Sequence, residues 1–392
     1  MISIDEAISI VKNNSKTLHE FKTIKVEKAF GYLLAEDIVS PIDMPPFRQS
    51  AMDGYAICSG TFSSYTIIGE VKAGDSINPE LKPGEAVRIF TGAAVPDTAD
   101  VILIQEKVTV KDNELYTEEE FKIAQNIRPK GEQVQKGEVA LQKGAKIVPA
   151  TVGYLYSLGI DEVSVIKKPS VAIVSTGNEL IEAGEELKHG QIYESNSAML
   201  TSALYSLKFY DTKVYKIEDN YEATLSTLRT VLENHDLVLI TGGISVGEYD
   251  FVGRALKELA VNELFYKVKQ KPGKPLFYGK KDETQIFALP GNPAASLSCF
   301  YIYVYIVLQK MMGKTTLELP RVESNALNSF IKKGDRPQFL KAIYNNGKVE
   351  LLEGQNSSML QTFAVSNALV FVPGEVSEIA INDKVETILL PV

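Results

Sequence analysis

Two loops in this chain gather the residues an oxyanion site needs. Ser175-Thr176-Gly177-Asn178-Glu179 and Thr241-Gly242-Gly243-Ile244-Ser245-Val246-Gly247-Glu248-Tyr249-Asp250 each follow an apolar run and mix glycine, hydroxyl and carboxylate. Glycines let several backbone N–H groups turn toward one anion, and a helix opening after such a loop adds its positive end. Gly242, Gly243, Ser245 and Gly247 are therefore candidate phosphate-cradling residues. The plainer alternative is that these glycines only permit tight turns. Neither loop carries the Gly-Lys-Ser/Thr phosphate loop or the dinucleotide fingerprint, so nucleotide hydrolysis and hydride transfer do not follow.

Carboxylates come next. Asp219 follows the strand ending at Ile217, so it is expected at a strand's carboxyl end with Asp250 and Glu179. Clustered carboxylates resist sharing a site unless a cation compensates, and hard oxygen ligands suit Mg²⁺, which commonly bridges to substrate phosphates. Taken singly, Asp219 or Glu179 is equally well a helix cap or a solvated side chain. Lys267, Lys269, Lys271 and Lys274 crowd one segment of an acidic protein, and Pro272 and Pro275 stiffen it, as suits a rigid anion seat; a solvated loop is the bland reading. Leu289-Pro290-Gly291-Asn292-Pro293 then opens a helix after a strand, with Asn292 as N-cap and Pro293 as first residue, offering free N–H groups to an anion. Asp53 in Ser50-Ala51-Met52-Asp53-Gly54-Tyr55-Ala56 and Thr91 in Phe90-Thr91-Gly92-Ala93 read from periodicity alone as ordinary turn residues.

Elements that would position these groups can be read along the chain. Ser3 and Glu6 form a capping box ahead of Ile4, Ala7, Ile8 and Val11, which fall on one helical face. Residues 45–145 read as short strands cut by turns, a β-rich insert. A short helix and a strand at 146–168 pair with residues 1–44 to form one discontinuous domain around that insert. From 169 to 318 strands and helices alternate: Val171–Ser175 and Leu237–Thr241 are continuous apolar runs, as parallel strands covered on both faces require. Further strands are expected near 213–217, 264–268 and 285–289, with helices near 196–207, 222–234 and 250–260. This is a doubly wound α/β domain. Residues 319–392 return to strands, with Asn345-Asn346-Gly347 as a hairpin turn, and give a C-terminal β-domain of barrel-like type.

The whole-chain balance narrows the function classes. With 392 residues, 45% hydrophobic and 23% charged, the chain has the composition of a folded multidomain protein. A net charge of −9 argues against binding nucleic acid by phosphate neutralisation. Two cysteines and three histidines give low expectations for a disulfide framework, a zinc cage or a histidine triad. Thr284 to Gln309 carries no charge, but Pro290-Gly291-Asn292-Pro293 cuts the run, leaving a helix shorter than a bilayer core. A buried helix, no membrane span and a cytoplasmic location are the expectations.

Together these motifs resemble one family, the molybdopterin molybdenumtransferases (MoeA, and the E-domain of gephyrin). The matching pieces are Ser50–Ala56, Thr91-Gly92-Ala93, Arg128 to Glu132, Ser175–Leu180, Gly190-Gln191-Ile192-Tyr193, Gly242–Gly247, Lys271-Pro272-Gly273-Lys274-Pro275 and Leu289–Pro293. They run in the family's order over nearly the whole chain. The short MogA-type adenylyltransferases share only the α/β domain.

The resemblance implies a four-domain subunit working as a homodimer, with molybdate inserted into the dithiolene of adenylylated molybdopterin and AMP released. It implies Asp219 and Asp250 as Mg²⁺ ligands and Glu179 as an acidic group of the same pocket. Lys267 and Lys271 would neutralise anions, helped by Lys274. Ser245 and the Gly242–Gly247 backbone would hold phosphate, and Pro290 and Pro293 would shape the molybdate side. Asp53 and Thr91 would enter from the partner subunit, and Ser357 from the C-terminal domain. Contacts with the adenylyltransferase and with molybdoenzymes are also implied. Two departures stand out: Gln133 follows Gly131-Glu132 where relatives carry Asp, and Lys341 stands where an Arg is familiar, replacing a bidentate fork at an expected anion contact. The alternatives are a non-catalytic binding or scaffold paralogue, and the adenylyltransferase itself.

Overall fold

The computed structural model describes residues 1–118, 120–218, 220–243 and 251–392. The chain divides into two compact units, one formed by Met1–Phe21 with Ile166–Val392 and the other by Lys22–Val165. The first helix, α1 (Ile4–Asn14), begins with the expected reciprocal cap: Glu6 N–H donates to Ser3 Oγ at 3.2 Å and Ser3 N–H to Glu6 Oε2 at 2.8 Å. Its buried face, Ile4, Ala7, Ile8 and Val11, joins the core of the α/β domain rather than packing with residues 146–168. That differs from the expected grouping of residues 1–44. An amphipathic face shows that a helix is buried but not against what.

The 22–165 unit opens on β1 (Phe21–Lys25). Six strands then form its main sheet: β2 (Gly54–Ile57), β3 (Tyr65–Val71), β4 (Glu85–Ile89), β5 (Val101–Ile104), β6 (Thr109–Lys111) and β7 (Glu114–Tyr116), in the order β5-β2-β4-β3-β7-β6. Side chains alternate across the strands, and both faces are covered: Ala56, Val87 and Ile102 lie in one cluster, Ile57, Ala86, Val101 and Leu103 in the other. Gly54 is obligatory here, because a Cβ at that position would lie 1.9 Å from the Leu103 carbonyl oxygen of the paired strand. After α2 (Pro149–Ser157), β8 (Glu162–Ile166) returns to pair with β1. A small core of Val26, Leu34, Ile38, Ile147, Leu155 and Val165 ties the two ends of this unit together.

The second unit is built on β9 (Val171–Thr176), α3 (Asn196–Ser206), β10 (Thr212–Ile217), α4 (Tyr221–Asn234), β11 (Leu237–Thr241), α5 (Phe251–Glu258), β12 (Asn262–Tyr266), β13 (Phe277–Lys281), β14 (Thr284–Leu289), α6 (Pro293–Cys299) and α7 (Tyr305–Met311). The sheet order is β10-β9-β11-β14-β13-β12, with the first four strands parallel and β13 and β12 antiparallel to their neighbours. Alternate residues of each central strand enter different cores. Val171, Ile173, Leu237, Leu239, Phe287 and Leu289 pack with α1, α3, α6 and α7, whereas Ala172, Val174, Val238, Ile240, Ile286 and Ala288 pack with α4 and α5. Covering both faces is what makes these strands uninterrupted apolar runs. Strand β13 was not expected from the sequence: Gly279, Lys280 and Lys281 dilute its apolar signal. The uncharged stretch after Pro293 is a buried helix with a wider π turn at Phe300–Val304.

The C-terminal strands β15 (Arg321–Ala326), β16 (Gln338–Asn345), β17 (Lys348–Leu351), β18 (Ala368–Val372) and β19 (Lys384–Leu389) close into a barrel in the order β15-β17-β16-β18-β19. The β16–β17 hairpin turns at Asn346 (φ 46°) and Gly347 (φ 81°), the left-handed pair that such a tight turn requires.

Candidate active site

Strand order locates a crevice before any side chain is considered. The chain moves from β9 out to β10, then back past β9 to β11, so successive crossovers leave in opposite directions between β9 and β11. Ligands of open α/β sheets bind at that switch point, outside the carboxyl ends. A hollow of about 460 Å³ lies there, with Thr176 and Glu179 after β9, Thr241, Gly242 and Gly243 after β11, and Asn196 at the start of α3 in its wall. Gly242 and Gly243 have φ of 87° and 64°, and a Cβ on Gly242 would sit 2.4 Å from the Thr176 carbonyl oxygen. The two loops are therefore packed tightly enough to exclude side chains. Gly177 has a different reason, its φ of 148°, a backbone conformation that side-chain-bearing residues rarely adopt. Thr241 Oγ1 and Asn196 Oδ1 are buried with no hydrogen-bond partner among the described residues, which leaves them available to a ligand.

A second hollow, of about 480 Å³, adjoins the first and shares Pro275, Pro290, Gly291 and Asn292 with it. Its charged wall is Lys271, Lys274 and Arg336, and its polar wall is Asn292, Asn356, Ser357 and Ser358. Arg336 was not a sequence candidate; beside Lys332, Lys333 and Asp335 it reads as part of a solvated charge run. Asn292 does not cap its helix with its side chain. Instead its Nδ2 donates to Ser357 Oγ at 2.9 Å, and the Ala295 N–H donates to the Ser357 carbonyl at 3.2 Å. One helix-opening donor expected to meet an anion is thus already taken by the 354–359 loop.

That loop is secured by Lys341. The expected anion contact is not formed: Lys341 is 4% exposed and its Nζ donates to the carbonyls of Gly354, Asn356 and Met359 at 2.7, 3.2 and 3.0 Å. Burial pushes its ammonium down to about 8. Lys267 likewise stands apart from both hollows, its Nζ lying 4.6 Å from the centre of the Tyr266 ring. Pro293 opens α6 as expected but lines neither hollow. Asp219, Ser245, Gly247 and Asp250 lie outside the described residues, and among the described residues no group of three or more His, Cys, Asp or Glu side chains gathers to hold a metal.

In the 22–165 unit, Asp53 and Thr91 are joined to each other. Asp53 Oδ1 accepts from the Thr91 N–H at 2.7 Å and from Thr91 Oγ1 at 2.8 Å. These two bonds, with a smaller contribution from the Arg88 charge, hold the Asp53 carboxyl below the ordinary range. Arg88 is itself fixed between the Tyr55 and Phe90 rings and donates to Gln105.

Comparison with known proteins decides the family. Residues 2–159 match the MoeA N-terminal region (domain I and II), 172–310 a probable molybdopterin binding domain, and 324–390 the MoeA C-terminal region (domain IV). The molybdopterin molybdenumtransferase of Haemophilus influenzae is 34% identical, covering 98% of both chains. The chain belongs to the MoeA family. Its Staphylococcus epidermidis relative of the same name is 31% identical over 99% of this chain and 95% of its own. The crystal structure of the molybdopterin biosynthesis moeA protein from Pyrococcus horikoshii OT3 superposes with a TM-score of 0.84 at 32% identity, covering 99% of this chain and 100% of that one. The multidomain α/β architecture expected from the MoeA resemblance is therefore the observed one.

Proposed function

We propose that this MoeA-family protein is a molybdopterin molybdenumtransferase of molybdenum cofactor biosynthesis, inserting molybdate into adenylylated molybdopterin with release of AMP. The observation that carries this reading is the pair of adjoining hollows with opposite linings: Lys271, Lys274 and Arg336 in one, and Glu179, Thr241 and the Gly242-Gly243 backbone at the switch point in the other. Molybdate and a phosphoanhydride repel each other, so a site that brings them together must supply positive charge and fixed donors in advance. Lys271, Lys274 and Arg336 supply the charge. Asn292, held by Ser357, and the 356–358 segment supply donors on the same wall.

Mg²⁺ belongs to this proposal. The carboxylate of Glu179 and the hydroxyls of Thr176 and Thr241 are hard oxygen donors, which suit Mg²⁺ and not a thiolate-seeking metal. Asp219 and Asp250 would complete the set, and the bound ion would neutralise phosphate charge. Asp53 and Thr91 would be presented by the partner subunit of a homodimer, and the protein would work in the cytoplasm. Contacts with an adenylyltransferase upstream and with recipient molybdoenzymes belong to the same proposal.

The test supplies adenylylated molybdopterin, Mg²⁺ and molybdate and follows AMP. Release that depends on molybdate is expected. Its absence, with the substrate intact, overturns the reading and favours a scaffold role; adenylylation of molybdopterin from ATP instead would reassign the protein to the preceding step. Light scattering at twice the chain mass is the expectation for the dimer.

A further inference from the structure

The lysine segment that lines the cationic hollow rests on a buried polar arrangement with no direct access to ligand. Gln270 is 1% exposed and Tyr303 fully buried. The Gln270 amide is used at both ends: its Nε2 donates to the Gly273 carbonyl at 3.1 Å and lies 3.5 Å from Cys299 Sγ, while its Oε1 accepts from Tyr303 Oη. Its main-chain carbonyl accepts from Arg336 Nη1 at 3.3 Å. One side chain thus joins the inside of the Lys271–Pro275 turn to the core helix, and the same residue's backbone reaches the third cation of the hollow.

Packing alone does not require this. An apolar pair would fill the space without the cost of burying an amide and a phenol, a cost offset only when both are satisfied. What the polar pair adds is direction. Lys271, Lys274 and Arg336 share one hollow, so like charges on its wall oppose holding the turn in place. The turn also fits closely: Gly273 has φ 85°, and a Cβ there would lie 2.4 Å from Cys299 Sγ and 2.9 Å from Gln270 Nε2. Backbone bonds hold the two ends of the turn, from Lys271 N–H to the Pro337 carbonyl and from Phe339 N–H to the Lys271 carbonyl, each 2.9 Å, at one end, and from Val268 N–H to the Lys274 carbonyl at 3.1 Å at the other; the Gly273 carbonyl between them is held by the Gln270 side chain.

We infer that Gln270 and Tyr303 are positioning residues, a buried strut that fixes the Lys271–Pro275 turn, and with it the ammonium of Lys271, for an anionic substrate. Its kinetic consequence rests on the proposed molybdenum insertion; its structural consequence does not. Cys299 reports the latter, because the turn seals it: the thiol is fully buried and burial pushes it up to about 12.

The experiment uses the full-length chain. Gln270→Met keeps the volume and deletes the amide. Cys299 should then react with a maleimide about ten-fold faster than in the wild type, as expected for losing the amide's hydrogen bond to the Gly273 carbonyl of the turn, while Cys58 labels at an unchanged rate. Inorganic diphosphate should slow the labelling again by closing the turn around an anion. KM for adenylylated molybdopterin should rise about ten-fold with kcat nearly unchanged, the pattern of lost ground-state binding. Gln270→Met added to Lys271→Ala should change KM no further than Lys271→Ala alone. Should Gln270→Met fold poorly, Tyr303→Phe leaves every carbon in place and is expected to show the same pattern more weakly. Labelling of Cys299 as slow as in the wild type overturns the strut, whatever the activity. Faster labelling with KM unchanged overturns the positioning role. A wild type that releases no AMP on adding molybdate defeats the proposed reaction and leaves the labelling result standing.

Discussion

Asp53 and Thr91, 38 positions apart, are joined by two hydrogen bonds to a single carboxylate oxygen. Thr91→Val removes the hydroxyl donor and keeps the N–H. The Asp53 carboxyl should then titrate at higher pH than in the wild type, as followed by carboxyl-carbon NMR. Because its pKa is depressed on folding, the stability Asp53 contributes is fully present above the unfolded value of about 3.9 and is lost as pH falls through the folded value. Thr91→Val should narrow that acid-side loss. An unmoved titration would mean that the hydroxyl does not contribute.

Ser357 joins the barrel's loop to the start of α6 through its Oγ and its carbonyl. Ser357→Ala deletes the first contact only. The expected result is a fall of about ten-fold in kcat/KM, the size of one hydrogen bond, with a thermal midpoint close to wild type. A large drop in midpoint with unchanged kcat/KM would make the contact purely structural.

Lys341 ties the same loop from below. Lys341→Met leaves three part-buried carbonyls without their donor and should cost about 2 kcal/mol in urea unfolding. A pH dependence follows as well. Unfolded, the lysine titrates near 10.4; folded, at about 8; between these values the unfolded chain holds the extra proton, so stability rises with pH across that window. Over the same window the amine loses a donor to the loop, and kcat/KM should fall. Lys341→Arg, charged throughout, should abolish that alkaline fall; a fall persisting in Lys341→Arg would assign it to another group.

Arg336 makes no ion pair among the described residues and faces the hollow with Lys271 and Lys274. Arg336→Ala should raise KM for the anionic substrate about ten-fold or more, and Arg336→Lys should restore part of the loss. Equal KM in both variants and the wild type would remove Arg336 from the binding wall.

Gly54→Ala is predicted to be a folding mutation. Its methyl would meet a backbone carbonyl oxygen of β5 at 1.9 Å, and neither strand can yield without breaking the pairing. A loss of about 3 kcal/mol in urea unfolding is expected. Wild-type stability would mean that the two strands can separate locally.

The sequence shows most clearly what one element determines by itself. Val171–Ser175 and Leu237–Thr241 announce parallel strands because burial on both faces leaves no polar alternation, and Asn346-Gly347 announces its turn because few residues accept left-handed backbone. Lys271, Lys274, Pro290 and Ser357, singled out in three separate segments through the family resemblance, line one hollow. What stays hidden depends on a second element. The face of α1 does not name the α/β core as its partner, and the lysines of β13 mask a strand whose register comes from β14. Lys341 has the charge of an anion contact, yet a barrel wall turns it toward three carbonyls. Nothing local distinguishes Asp53 from any turn aspartate until Thr91 is folded against it.

The pairing of β1 with β8 has a consequence for how such a protein can change. The polypeptide enters and leaves the 22–165 unit through two paired, neighbouring strands. A module inserted in this manner can be lengthened, swapped or trimmed between homologues without re-threading the α/β sheet, because the host chain sees only two ends a strand's width apart.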